Sequence, residues 1–102
     1  MIIVHAEHEI WDFDTWKTAF DRDPIRREQS GVRRYCIVRP VDDPNFVIMD
    51  FEFETEIAAR EFQAALHQLW ASPAAAPALR GSPQTRLVEP VETRTCDETW
   101  GP

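Results

Sequence analysis

The chain has 102 residues, and its 11 Lys and Arg against 18 Asp and Glu give a net charge of −7. An acidic surface repels phosphate backbones and anionic membranes, so we expect neither nucleic acid nor a membrane as a partner. Apolar residues make up 43% of the sequence, and no apolar run approaches the ~20 residues of a membrane helix, so we expect a globular cytoplasmic protein.

The first predicted elements are a strand and a helix joined by an acidic turn. Residues 1–8 alternate in hydropathy, which is typical of a strand. Asp12 or Asp14 is placed to cap a helix that runs to about Arg22. Three aromatic side chains of this helix fall on one face: Phe13, Trp16 and Phe20. This face predicts a helix packed on a sheet.

The next segment predicts an antiparallel hairpin. Residues 32–39 and 46–53 are rich in β-branched and aromatic side chains, which favours strands. The segment 40–45 between them is short and contains Pro and Asp in positions typical of a turn. Gly31, just before the first of these strands, suits a left-handed backbone conformation.

The second half of the chain repeats a helix followed by a strand. Thr55 is placed to cap a helix over residues 56–70, whose apolar positions form one stripe. A short helical piece follows and is expected to end at Gly81. Residues 84–93 predict the last strand, and 94–102 form a polar tail.

The order β-α-β-β-α-β predicts an α+β ferredoxin-like fold, with two helices on one face of a four-stranded antiparallel sheet. We expect residues 1–93 to form this single domain. The third strand is apolar on both sides, since Phe46 and Ile48 share the second face with Asp50 and Glu52. An exposed apolar strand face indicates an interface, so we expect a homodimer packed sheet to sheet.

Several local features resemble the dimeric α+β barrel superfamily. They are His5 on the first strand, the 12–16 helix start with Phe20 one turn on, Gly31 before the second strand and 42–45 before the third. The superfamily includes cofactor-free monooxygenases of antibiotic biosynthesis, polyketide cyclases, muconolactone isomerases, haem-degrading oxygenases and stress-responsive proteins. The resemblance to its small cyclase-like or monooxygenase-like bacterial proteins implies a barrel closed by two subunits and a reaction without a cofactor.

A cavity between the two sheets would be lined by His5, Tyr35 and Asp50, our candidates for catalysis. A neutral imidazole can act as a general base, and a tyrosine can donate to a substrate oxygen. Each also has a structural interpretation: His5 as a hydrogen-bonded core histidine and Tyr35 as a packed ring. Asp50, like Glu52, can instead pair with Arg33, Arg34 or Arg39, or lie at the barrel mouth. The substrate expected for such a cavity is a small apolar, aromatic or polyketide-like molecule.

Candidate binding residues come from the same strand face and from the second helix. Phe46, Ile48 and Glu52 share the strand face with Asp50, whereas His67 and Trp70 lie one helical turn apart. Haem-degrading members use a Trp and a helical His together with an Asn on the first strand, and this chain has no Asn there. Haem binding is therefore a third reading, after an enzyme and a non-catalytic binding or stress-related module. A cavity of ~300 Å³ or more would argue against the non-catalytic module.

No metal site is expected in the sequence. In the run 5–8, His5 and Glu7 share one face of a strand and His8 points to the other, which is poor geometry for three ligands. The two cysteines have no neighbouring partner. We expect Cys36 to be a small buried side chain and Cys96 an exposed thiol.

Overall fold

The computed structural model describes residues 1–96, so most of the expected tail, from position 97 onward, lies outside the described residues. Its elements are β1 (Ile2–Glu9), α1 (Phe13–Asp21), β2 (Arg34–Val38), β3 (Phe46–Phe53), α2 (Glu56–Trp70) and β4 (Arg80–Val88). One turn of 3₁₀ helix, Pro73–Ala75, lies between α2 and β4. The predicted β-α-β-β-α-β order is confirmed. Within residues 1–96, no helix has the length and apolar character to cross a membrane.

The four strands form one antiparallel sheet in the order β2-β3-β1-β4, which confirms the predicted ferredoxin-like architecture. β1 and β3 are central, and β2 and β4 are the edges. In this register His5 lies opposite Asp50 on one side and Arg86 on the other. Because side chains alternate along each strand, the register decides which residues share a face.

The bounds of β4 differ from the prediction. The strand spans Arg80–Val88 rather than residues 84–93, and Gly81 lies inside it with φ +71 instead of ending a helical piece. Since β4 is an edge strand, Pro83 can lie within it without leaving a ladder hydrogen bond unmade in the middle of the sheet.

The helix caps follow the sequence. Asp12 Oδ2 accepts the backbone N–H and the hydroxyl of Thr15, each at 2.9 Å. These hydrogen bonds favour the ionised carboxylate and lower the pKa of Asp12. The Thr55 hydroxyl accepts from Ala58 N–H at 3.2 Å. Gly31 has φ +94, the left-handed conformation expected before β2.

Both helices lie on one face of the sheet, and the hydrophobic core fills the space between. Its buried apolar residues come from β1, β3, the two helices and the residue that follows β1: Val4, Ala6, Ile10, Trp16, Val47, Met49, Phe51, Phe53, Ala59, Phe62 and Leu66. None of the described elements covers the other face. We call that other side the open face; it carries Ile3, His5, Glu7, Arg34, Cys36, Val38, Phe46, Ile48, Asp50, Glu52, Arg86 and Val88.

The expectation that Cys36 is buried is wrong for this chain by itself. Cys36 lies opposite Asp50 in the ladder and is exposed on the open face. Strand propensity placed this residue correctly on β2 but said nothing about which side of the sheet it occupies. Cys96 is exposed, as expected.

Candidate active site

The candidate catalytic residues do not share one cavity. His5 and Asp50 lie on the open face, together with Phe46. Tyr35 pairs with the buried Phe51 and its ring contacts Phe20 at 5.4 Å between centroids, so it lies on the helix side. The expected grouping of His5, Tyr35 and Asp50 around a single cavity is therefore wrong, because β2 presents Tyr35 to the opposite face.

Charged side chains on the open face pair with one another. His5 Nδ1 donates to Asp50 Oδ1 at 2.7 Å, and His5 Nε2 lies 3.7 Å from a Glu7 carboxylate oxygen. Glu52 lies 3.3 Å from Arg34, as expected for an arginine on the neighbouring strand. The histidine is only partly exposed, and both of its ring nitrogens face a carboxylate. This is the geometry of a positioned structural histidine as much as that of a base.

The two candidate binding residues on α2 do not line the same cavity either. His67 is exposed, and its Nε2 lies 2.9 Å from the hydroxyl of Thr85. The ring of Trp70 contacts the rings of both His67 and His8, with 5.7 Å between the ring centroids in each pair. Of these two residues, only Trp70 lines the cavity described next.

An apolar cavity of about 180 Å³ lies between the sheet and the helices. Its volume is below the ~300 Å³ set above as evidence against a non-catalytic module. An apolar cavity of ~150 Å³ in another protein holds benzene, so this one is large enough for a single substituted aromatic ring. It is lined by His8, Trp16, Ala19, Phe20, Arg22, Pro24, Ile25, Arg27, Met49, Phe51, Phe62, Leu66, Leu69, Trp70, Ala74, Ala75, Ala78 and Leu79.

His8 is the buried polar residue of this cavity. Its side chain is 2% exposed, and its Nδ1 donates to the backbone carbonyl of Glu9 at 2.9 Å. Because a carbonyl can only accept, Nδ1 carries the proton and Nε2 of the neutral ring carries a lone pair. Among the described residues, Nε2 has no hydrogen-bond partner.

The surroundings of His8 keep it neutral. Burial lowers the pKa of His8, and the hydrogen bond to Glu9 offsets this only in part. Its ring meets Trp16 and Trp70 edge to face, with centroids 6.1 and 5.7 Å away. A neutral imidazole with a free lone pair in an apolar cavity is arranged to accept a proton from a bound molecule.

Sequence reasoning considered His8 only as a metal ligand and set it aside because it points away from His5. The same parity was the missed signal, since His8 continues the stripe of Val4 and Ala6 that faces the core. A titratable side chain on such a stripe indicates a buried polar group. Among residues 1–96, no three His, Cys, Asp or Glu side chains are grouped as metal ligands.

The segment between α1 and β2 contributes four of the residues that line this cavity, and its residues are exposed or half-buried; we call it the mouth segment. Asp23 and Arg26 both adopt left-handed backbone conformations, with φ +54 and +55. Such conformations are uncommon outside glycine and cost free energy that the surrounding contacts must offset. Here Asp23 Oδ1 accepts Arg27 N–H at 2.9 Å, and the Ser30 hydroxyl donates to the Ile25 carbonyl at 2.8 Å. The mouth is therefore a hydrogen-bonded structure.

Comparison with known proteins shows a fold. No protein-family model and no curated protein matches the sequence. Among solved structures, the chain has the ferredoxin-like fold of the antibiotic biosynthesis monooxygenases. One structure of that description aligns over 90% of this chain and 100% of its own, with a TM-score of 0.66 and 18% identity.

Two further structures share the fold. A mutant of SnoaB from Streptomyces nogalater, described as a cofactor-independent oxygenase, has a TM-score of 0.71 at 15% identity over 90% of this chain and 94% of its own. A dimeric ferredoxin-like protein from an uncultured marine organism has a TM-score of 0.60 at 10% identity, covering 91% and 97%. At these identities the likeness extends to the architecture and no further.

Proposed function

We propose that the protein is an oxygenase that acts without a cofactor on a small electron-rich phenolic ring bound in the helix-side cavity, with His8 as the general base. One observation carries this proposal: the buried His8, whose Nε2 has no hydrogen-bond partner among residues 1–96, lines an apolar cavity of ring size. The cofactor-independent oxygenase of the same fold supports it.

The chemistry follows from the state of His8. Nε2 accepts the hydroxyl proton of the bound phenol, and the resulting anion is electron-rich enough to react with O2 itself. The anion adds O2 at a ring C–H carbon, and loss of that hydrogen with the outer oxygen as water leaves a C=O group. This oxidation of phenol to quinone releases four electrons, which reduce O2 to one carbonyl oxygen and one water. The proton on His8 returns to the departing oxygen, so the base is regenerated.

The apolar walls assist the proton transfer in two ways. They exclude water, which strengthens electrostatic interactions inside the cavity, and they keep His8 neutral before substrate binds. A base whose conjugate acid is destabilised by burial is a weaker base in isolation. A substrate anion formed beside it compensates, because the imidazolium and the phenolate stabilise each other as an ion pair.

Oxygen uptake tests this function directly. Purified protein is mixed with small hydroxyarenes and anthrone-like ketones in air, and O2 consumption is followed with mass analysis of products formed under isotopically labelled O2. We expect labelled product with wild type, a ~10²–10⁴-fold slower rate with His8→Gln, and an unchanged rate with the matched control His5→Gln. Product formation without O2 uptake would instead indicate a proton-transfer cyclase. Binding with no turnover would favour the non-catalytic module.

We also propose that the chain forms a homodimer through the open face. Apolar side chains on that face, including Ile48 and Val38, are accompanied by the paired His5 and Asp50. In such a dimer the pair would be buried, where its hydrogen bond satisfies two otherwise desolvated groups. Light scattering after size-exclusion chromatography tests this, with a mass near 11.9 kDa contradicting it.

A further inference from the structure

The charged side chains that line the helix-side cavity are of one sign. Although the chain has a net charge of −7, no carboxylate is found among the residues that line the cavity. The two charged side chains that do line it, Arg22 and Arg27, both belong to the mouth segment between α1 and β2. This local excess of positive charge contrasts with the rest of the protein and concerns the entrance only.

Arg27 is held in place by several contacts. Its guanidinium lies 3.8 Å from the centroid of the Phe20 ring, and Nη1 donates to the Phe20 carbonyl at 2.9 Å. The same nitrogen is 3.4 Å from Asp23 Oδ1, and the side chain is 15% exposed. A guanidinium has five N–H donors, so these contacts leave others free to bind a ligand. Stacking on the ring fixes the plane in which they point.

Arg22 completes the entrance with a charge that is not neutralised. Asp23 offsets part of the charge of Arg27, whereas Arg22 has no ion pair within the described part of the chain. It follows α1 directly, and its backbone N–H caps the helix by bonding to Ala19. The mouth segment therefore presents the ordered guanidinium of Arg27 beside the side chain of Arg22, which makes no ion pair among the described residues.

We propose that the ligand of this cavity is an aromatic anion, specifically a hydroxyarene carboxylate, which enters ring first and leaves its carboxylate at Arg22 and Arg27. This rests on the proposed function, because the hydroxyl at the other end is the group that His8 deprotonates. A carboxylate accepts charge-assisted, bidentate hydrogen bonds from guanidinium. The apolar walls accept the ring between them, and the charged end stays at the wetter entrance.

Calorimetric titration with two ligands of the same shape tests the proposal: para-hydroxybenzoate and para-hydroxybenzamide, which differ by one negative charge. At low ionic strength we expect the benzoate to bind about ten-fold more tightly than the amide. Added salt should narrow the difference, since the entrance is partly exposed. Equal affinities, or no benzoate binding, would overturn the proposal.

Variants locate the source of the preference. Arg22→Gln should remove most of the preference for the benzoate. Because the Arg22 side chain makes no ion pair with any residue from 1 to 96, this variant is expected to fold normally. Arg27→Gln tests the second guanidinium but also removes contacts of the mouth. Arg26→Gln is the matched control: it removes the same charge from the same segment, at a residue that does not line the cavity. If this control weakens benzoate binding as much as Arg22→Gln, the effect is one of net charge, and the proposed recognition is wrong.

His8→Gln separates this inference from the proposed function. It should keep the benzoate preference while it abolishes O2 uptake. A preference for the benzoate in a protein that consumes no O2 with any substrate would refute the oxygenase and leave anion recognition standing. O2 uptake at equal rates with neutral and anionic phenols would refute anion recognition and leave the oxygenase standing.

Discussion

The two faces of the sheet place a histidine side chain in opposite environments. His8, on the helix side, is buried with one nitrogen bonded to a backbone carbonyl and the other unpartnered. His5, three residues earlier on the open face, has a carboxylate at each ring nitrogen. The first arrangement favours a neutral imidazole ready to accept a proton, and the second satisfies the ring within the protein. Residue type alone does not distinguish a base from a structural histidine; the face of the strand does.

Truncating one core residue on each face should reveal the largest difference. Phe51→Ala removes a fully buried ring from the helix side and should lower the free energy of unfolding by about 3–5 kcal/mol. Ile48→Ala, on the open face of the same strand, should lower it by only about 1 kcal/mol in a monomer. Urea denaturation measures both. An equal loss that depends on protein concentration for Ile48→Ala would mean that a second copy buries the open face.

Replacing His8 by an apolar side chain should stabilise the protein. His8→Leu removes a buried nitrogen, Nε2, that has no partner among residues 1–96. The hydrogen bond from Nδ1 to the Glu9 carbonyl is lost as well and offsets part of the gain, so we expect the free energy of unfolding to rise by less than about 1 kcal/mol while activity is lost. His5→Leu, the matched change on the open face, strips Asp50 of its partner and should give no such gain. Thermal and urea denaturation test the pair, and a destabilised His8→Leu would show that Nε2 is satisfied in solution.

The pH dependence of stability should carry the signature of His8. Its folded-state pKa is lowered by burial, so below about pH 6.5 the unfolded chain takes up a proton that the folded chain does not. Stability is therefore expected to fall as pH drops from 6.5 towards the folded-state pKa. The difference between wild type and His8→Gln isolates this slope, and His5→Gln should retain it. Parallel curves for wild type and His8→Gln would contradict the burial of His8.

The pair on the open face should give the smallest effect. His5 and Asp50 are partly exposed, and pairs of this kind contribute less than about 1 kcal/mol because solvent screens them. A double-mutant cycle with His5→Gln and Asp50→Asn measures their coupling. Coupling well above that range, present only at concentrations where a dimer forms, would place the pair in a buried interface.

Sequence periodicity predicted most of the fold. The bounds of β3 and α2 agree with the prediction, because alternating or helically spaced apolar residues and a Thr55 cap define them locally. The predicted start of β4 was wrong because Gly81 lies inside the strand instead of ending a helical piece. Pairing with β1 sets this bound, and local patterns do not reveal that pairing.

The candidate site was only partly predictable. The parity of β1 correctly put His5 on the face away from the helices, and Trp70, a predicted binding residue, lines the helix-side cavity. The faces predicted for Tyr35 and Cys36 were wrong for one reason. The register of β2 against β3 fixes which face each side chain occupies, and no short-range pattern in the sequence indicates that register. The cavity itself depends on side chains from both helices and from the 73–79 segment, which only the assembled fold brings together.

The helix-side cavity and the open face lie on opposite sides of the sheet. Two copies joined through their open faces would therefore hold two complete and separate reaction chambers, back to back. A dimer of one intact and one inactivated copy should turn over substrate at half the rate of the intact dimer. Substitutions in one cavity should leave the other cavity unchanged.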